Sequence, residues 1–259
     1  DFYINNQNKH DFLGRFRQEQ FMKVVKKTMK NADALFTICD SMNQAYHQLF
    51  QRNCYTLHTP AVNMEIAMKE DARQISYIGN VGCGRVQSLL EIGQALAELD
   101  SEELPGYIDV YSGTKQPEYI DQLSQAPGIR FHGAISTEQV LDVMRHSMAV
   151  VHAESFDRNM MERVRFSVST KIAESLMYGP CLLAYGPEGI ASIDYLKENH
   201  AAYVISSMQK LKTGLQEFLK NTDLRNEILK DARFLAQKNH DGTRNPENVR
   251  RWLSEIAAH

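Results

Sequence analysis

From Gln74 onward the hydrophobic and polar positions alternate regularly, with short runs rich in β-branched and aromatic residues separated by helix-length amphipathic segments. The runs are ISYIGN (75–80), YIDVYSG (107–113), IRFHGAI (129–135), AVVHAE (149–154), CLLAYG (181–186) and AAYVIS (201–206). Helices are predicted to begin near Val86, Pro117, Thr137, Ser169 and Ile190. In the first of these, Val86, Leu89, Leu90, Leu96 and Ala97 share a face, the spacing of a helix packed on a sheet. Parallel neighbouring strands need a crossover, and the crossover is usually a helix, so this alternation predicts an α/β doubly wound parallel sheet over 74–206. Ligands of such sheets collect beyond the carboxyl ends of the strands. The segments to search are therefore GNVGCGR, SGTKQ, GAIST, the long stretch ESFDRNMMERVRFSVS and YGPEG. The stretch over residues 154–166 reads as a long charged loop.

The flanks differ. Before Gln74 the pattern predicts a basic helix Phe12–Lys30, a strand at 34–39, a helix over 42–50 and a strand at 55–58. After Ser207 the chain reads as helical to its end, with Pro246 opening a last helix that carries Trp252, the only tryptophan. No repeat or low-complexity tract interrupts the order.

Composition narrows the class. A chain of 259 residues with 43% hydrophobic and 24% charged residues can bury a sizeable core, as ordinary globular proteins do. A formal net charge of −3 argues against a nucleic-acid partner, which calls for a dominant basic field. Cys39, Cys54, Cys83 and Cys181 form no ligand-like spacing, which argues against zinc and a disulfide framework and for a reduced, cytoplasmic setting. The chain begins at Asp1 rather than methionine and is expected to be a fragment. The stretch Phe12–Lys30 carries Arg15, Arg17, Lys23, Lys26, Lys27 and Lys30 against Glu19, interleaved with apolar residues. It suits peripheral contact with an anionic membrane, although a domain helix with one wet face is the commoner outcome of such a pattern.

Candidate chemistry concentrates in SVSTKIAESLMYG (167–179). On a helix beginning near Ser169, residues Lys171, Glu174, Ser175 and Tyr178 are expected on the polar face, with Ile172, Ala173, Leu176 and Met177 on the buried one. The free N–H groups of the first turn and the helix dipole favour an anion, and Ser167, Ser169 and Thr170 offer hydroxyls, so a phosphate suits this corner. Glu174, one turn further, has the acceptor geometry for a ribose diol. The same spacing also describes a solvated Lys–Glu pair worth only about 0.2–0.5 kcal/mol. Gly79, Gly82 and Gly84 in GNVGCGR let backbone approach a ligand closely, and Arg85 behind them can reach a phosphate; a flexible turn is the plainer alternative. The run is not GxGxxG, and no acidic residue closes the second strand, so a nicotinamide dinucleotide is poorly supported. His132 and His152 fall in predicted strands, where a satisfied core histidine is the usual finding.

Together, ADALFTICDSMNQAYHQLF with LHTPAVN, ISYIGNVGCGR, IRFHGAIST, AVVHAES and STKIAESLMYGPCLLAYGPEG resemble the donor-binding half of a GT-B glycosyltransferase, closest to the GT4 (group 1) family. The resemblance implies a Rossmann-like domain over 66–243, a remnant of the N-terminal acceptor domain over 1–65 and a C-terminal helix over 244–259 returning toward it. It implies a nucleoside-diphosphate sugar as donor, a glycan or lipid-linked acceptor, no cofactor, no metal, and retention of anomeric configuration. Carried over residue by residue, Glu174 holds the ribose, Arg85 and Lys171 hold the diphosphate, and backbone at Gly133, Ala134 and Ile135 meets the base. One departure stands out: where the family often has a first glutamate touching the donor sugar, this chain has Phe166. Glu154 and Glu162 share that spacing but do not lead into the glycine block, which reads as coincidence. A sugar-nucleotide epimerase of the same architecture and a non-catalytic nucleotide-sugar-binding module remain open alternatives.

Overall fold

The computed structural model describes residues 12–61, 72–101 and 104–258. Six strands form one wholly parallel sheet: β3 (Gln74–Ile78), β4 (Ile108–Tyr111), β5 (Ile129–Gly133), β6 (Ser147–Ala153), β7 (Cys181–Tyr185) and β8 (Tyr203–Ile205). Their spatial order is β5-β4-β3-β6-β7-β8. The chain thus winds outward from β3 in one direction, then returns and winds outward from β6 in the other. The order reverses between β3 and β6, and there the carboxyl ends diverge to leave a crevice.

Alternation along the strands divides the core into two layers. On one side Ile75, Tyr77, Val110, Val151, Leu183 and Tyr185 meet α3 (Arg85–Ala97), α4 (Pro117–Gln125) and α9 (Leu211–Lys220), through Leu89, Ile92, Leu96, Leu123, Leu215 and Phe218. On the other side Ile78, Val150, Leu182 and Ala184 meet α5 (Thr137–His146), α7 (Thr170–Met177), α8 (Ala191–Glu198) and α10 (Thr222–Asn239). Both faces are covered, so burial of each Leu or Ile contributes about 1.5–3 kcal/mol. Helix α5 starts in a capping box: Gln139 N–H donates to the Ser136 hydroxyl and Ser136 N–H to the Gln139 side chain.

A small second unit sits beside this domain. It comprises α1 (Phe12–Lys30), β1 (Leu35–Thr37), α2 (Asp40–Phe50), β2 (Cys54–Thr56) and the last helix, α11 (Arg244–Ala257). Strands β1 and β2 pair in parallel, and Trp252 of α11 lies 5.1 Å from the Tyr55 ring and 6.1 Å from Phe36. Phe16, Phe21 and Val24 on α1 are exposed. Two junctions fix the unit to the sheet domain. Cys39, Phe166 and Ala191 form an apolar cluster, with the Cys39 thiol directed at the Phe166 carbonyl at 3.7 Å. At the other junction His240 Nδ1–H donates to Thr59 O (2.7 Å), which leaves Nε2 to accept from the Tyr195 hydroxyl (2.9 Å) while Asn239 donates to that hydroxyl (3.0 Å).

The predicted doubly wound sheet is present, each strand within a residue or two of its hydrophobic run. Three expectations need correction. The stretch 154–166 is no loop: α6 (Arg158–Val164) occupies it, started by the Asp157 carboxylate accepting from the Asn159 and Met160 N–H groups. The last helix opens at Arg244, ahead of Pro246. Ser175 belongs to the buried face of α7, because that helix packs against both β7 and α10. The expected boundary between residues 65 and 66 lies outside the described residues. No helix among the described residues is long and apolar enough to cross a membrane.

The tightest packing joins α3 to the turn before β5. Gly128 has φ +66, and a Cβ there would press into the backbone of Gly93. Gly128→Ala combines a disfavoured conformation with overpacking, so a loss of more than about 2 kcal/mol is expected. Thermal denaturation checks this, and an unchanged melting temperature would contradict the packing described.

Candidate functional site

Three chain segments converge at the switch point, around a cavity of about 330 Å³. The first is the turn from β3 into α3. Tyr77, buried in the strand, donates its hydroxyl hydrogen to Asn80 O (2.6 Å), and the Asn80 side chain accepts from Gly82 N–H (2.6 Å). Gly84 follows at φ +77, and a Cβ there would lie 2.5 Å from the Ser155 hydroxyl. That close approach is what requires glycine. The turn delivers Arg85 to the first position of α3, facing the end of β6.

The second segment is the end of β6. Glu154 N–H donates to Tyr185 O (2.8 Å) and Glu154 O accepts from the Ser88 hydroxyl (2.8 Å), so the residue is held by its backbone from both sides. Its side chain, 2% exposed, takes the Arg85 guanidinium side-on: Nε to Oε2 at 3.1 Å and Nη2 to Oε1 at 2.9 Å. Arg85 Nε also donates to Ala153 O (3.1 Å). Burial pulls the Arg85 pKa down, the Glu154 charge and hydrogen bond pull it up, and the net shift is upward. Breaking a buried pair of this kind leaves an uncompensated charge, at a cost of about 3–5 kcal/mol. His152, one pleat earlier, is buried; its Nε2 lies 2.9 Å from the Ser192 hydroxyl and 3.5 Å from Glu154 Oε1.

The third segment is Ser167–Ser175, entering α7. Ser169 stands at the N-cap with extended backbone and makes no side-chain cap. Among the described residues the N–H groups of Thr170 and Lys171 have no partner, and the Lys171 ammonium has no ion pair. The far end of α7 is clamped: Arg233 donates to the carbonyls of Ser175 (3.2 Å), Leu176 (2.5 Å) and Gly179. A cation at a helix carboxyl terminus is favourable, and here it fixes the helix whose opposite end borders the cavity.

Of the residues singled out from sequence, Gly79, Arg85, Ser169, Thr170 and Lys171 line one cavity. Glu174 lies one turn along α7 from Lys171, half-exposed, without a side-chain partner among the described residues, and outside the wall of this cavity. Gly82 and Gly84 shape the turn behind the cavity and are not in its wall. Gly133, Ala134 and Ile135 lie at the carboxyl end of β5, also outside the wall. His132 is no core residue; it is exposed, stacked on Tyr111 at 4.6 Å and bonded to Asp109 at 2.6 Å. Sequence reasoning missed the part of Glu154, the acid of this wall, and of Ser175 and His152. A signal for Glu154 existed: it closes the strand run AVVHA, at the carboxyl end where a doubly wound sheet faces its ligand. Phe166 is in the apolar junction with Cys39 and does not line the cavity.

The cavity wall carries Arg85 and Lys171 against Glu154, which Arg85 neutralises, so the unbalanced charge is positive and lies on Lys171. Such a wall binds anions.

The architecture has the GT-B form seen in solved glycosyltransferases. The structure of S. aureus TarM with fondaparinux, alpha-GlcNAc-glycerol and UDP aligns with a TM-score of 0.68 at 13% identity, covering 98% of this chain and 49% of TarM. Anabaena HepE in complex with UDP-glucose aligns at 0.68 and 12% identity, covering 95% of this chain and 71% of HepE. WaaG, a glycosyltransferase involved in lipopolysaccharide biosynthesis, aligns at 0.62 and 16% identity, covering 88% and 66%. The chain thus spans about half the length of TarM. No curated protein sequence matches it. Residues 93–250 match the family described as glycosyl transferase-like, and the chain belongs to that family.

Two buried histidines and the partly buried His58 set a pH dependence. Burial lowers the pKa of His152, with Glu154 opposing and Arg85 reinforcing the shift, and burial likewise lowers His58 and His240. Unfolded, each titrates near 6.5. Their contribution to stability is therefore complete above that pH and is lost as pH falls, because the unfolded chain takes up protons first. Melting temperatures measured across pH are expected to hold steady above about 7 and to drop between about 6.5 and 5. A melting temperature that rises on acidification would contradict this assignment.

Proposed function

We propose that this chain is the donor-binding half of a glycosyltransferase of the GT4 type, moving a sugar from a nucleoside-diphosphate donor to a glycan or lipid-linked acceptor. The observation that carries the reading is Lys171: an unpaired cation beside unpartnered N–H groups, in a cavity at the switch point of a GT-B sheet. The diphosphate lies between Lys171, the first turn of α7 and the free edge of Arg85. Glu174, one turn on, accepts from the ribose hydroxyls.

During transfer the bond from the anomeric carbon to the β-phosphate oxygen breaks, with its electron pair left on the phosphate. The acceptor oxygen bonds to that carbon and its proton passes to the departing diphosphate. Arg85, Lys171 and the α7 amides stabilise the charge that grows on the departing diphosphate. The scheme uses no metal and no cofactor. Retention of configuration follows from the family resemblance. Residues 66–243 are the donor domain in this reading, residues 1–65 belong to the acceptor domain, and 244–259 return toward it. Two structural neighbours, TarM with UDP and HepE with UDP-glucose, support a nucleotide-sugar ligand.

Calorimetric titration with UDP tests the proposal. Lys171→Ala is expected to weaken binding at least about tenfold, the loss of one charge-assisted contact. Glu174→Ala is expected to weaken UDP while leaving inorganic pyrophosphate unchanged, because the carboxylate meets only the sugar. Wild-type affinity for UDP in Lys171→Ala would overturn the proposal.

A further inference from the structure

Arg85 is not a free cation waiting for a phosphate. Three of its hydrogen bonds run to the end of β6, and its side chain is 18% exposed. The side-on pairing uses Nε and Nη2, which leaves Nη1 without a partner among the described residues. Nη1 is also not among the buried unpartnered atoms, so it reaches solvent, and Arg85 is in the cavity wall. The carboxylate opposite is held in turn. Ser88 and Tyr185 fix the Glu154 backbone, and His152, itself fixed by Ser192, stands 3.5 Å from Oε1.

We infer that Glu154 is the positioning residue for diphosphate binding: it orients the Arg85 guanidinium so that Nη1 and the outer Nη2 proton point into the cavity. The inference rests on the donor-binding reading above and adds a residue to which that reading assigned no part. An arginine on its own samples many rotamers, and each phosphate contact then costs the entropy of ordering it. Pairing its inner edge with a buried, backbone-locked carboxylate removes that cost before the ligand arrives. The opposite effect is also physical: a carboxylate beside an anion site lowers its positive potential. The two effects have opposite signs in a binding experiment, and the geometry points to the first, because the pairing leaves the outer edge of the guanidinium unobstructed.

The test is a double-mutant cycle on the 259-residue chain with UDP and with inorganic pyrophosphate as probes, thermal stability being measured in parallel. The variants are Glu154→Gln, Arg85→Met and the double variant Arg85→Met/Glu154→Gln. Both single variants are expected to lose about tenfold or more in affinity for both probes, and the double variant to lose no more than Arg85→Met alone, since Glu154 acts only through Arg85. The double variant also removes both buried charges, which keeps a folded protein available should Glu154→Gln leave the guanidinium uncompensated and unstable. In that event, Glu154→Asp replaces it as the second single variant, with the same expected loss. Affinity that rises or stays unchanged in Glu154→Gln, or losses that add in the double variant, would overturn the inference while leaving the donor site standing. Failure of the wild-type chain to bind either probe would overturn both.

Discussion

A parallel sheet whose order reverses between β3 and β6 cannot cover its own carboxyl ends, and that constraint organises everything else in this molecule. The connections leaving β3 and β6 run to opposite sides, so a gap opens between them that no crossover helix fills. The gap is lined by what the strand ends and the nearest helix starts deliver: Gly79 and Arg85 after β3, Glu154 after β6, and the first turn of α7. A gap bordered by unpartnered N–H groups and a net cation holds an anion by ordinary electrostatics, before any question of which anion.

The stiffness of that wall comes from contacts behind it. Arg233 pins the carboxyl end of α7, Tyr77 and Asn80 tie the turn after β3, and Glu154 is clasped by Ser88, Tyr185 and Arg85. Of these residues only Arg85 also faces a ligand in this account. The small unit around β1 and β2 is attached through the Phe166 cluster and the His240 network. Phe166 thus has a packing role at the junction of the two units.

The strands were legible because each is a short apolar run bounded by glycine or polar residues, as ISYIGN and CLLAYG show. Helix α6 was not, because its seven residues are too few to show a helical period and its start depends on a single capping aspartate, Asp157. Lys171 and Glu174 could be placed on α7 from periodicity alone. The burial of Ser175 could not, since α7 packs on two partners and hides a wider arc than a helix on one sheet face. The Arg85–Glu154 pair joins residues far apart in the chain, and only the strand order makes them neighbours. Gly82 and Gly84 were read as ligand-facing, whereas their cause is steric: Gly84 meets the side chain of Ser155.

Crystals of the chain grown with UDP would examine the central claim most directly. The account predicts electron density for the diphosphate within hydrogen-bonding distance of Lys171 Nζ and Arg85 Nη1, with the ribose hydroxyls on the Glu174 carboxylate. Density for UDP elsewhere, for instance in the separate pocket bordered by Arg73 and Arg130, with the switch-point cavity empty, would contradict it.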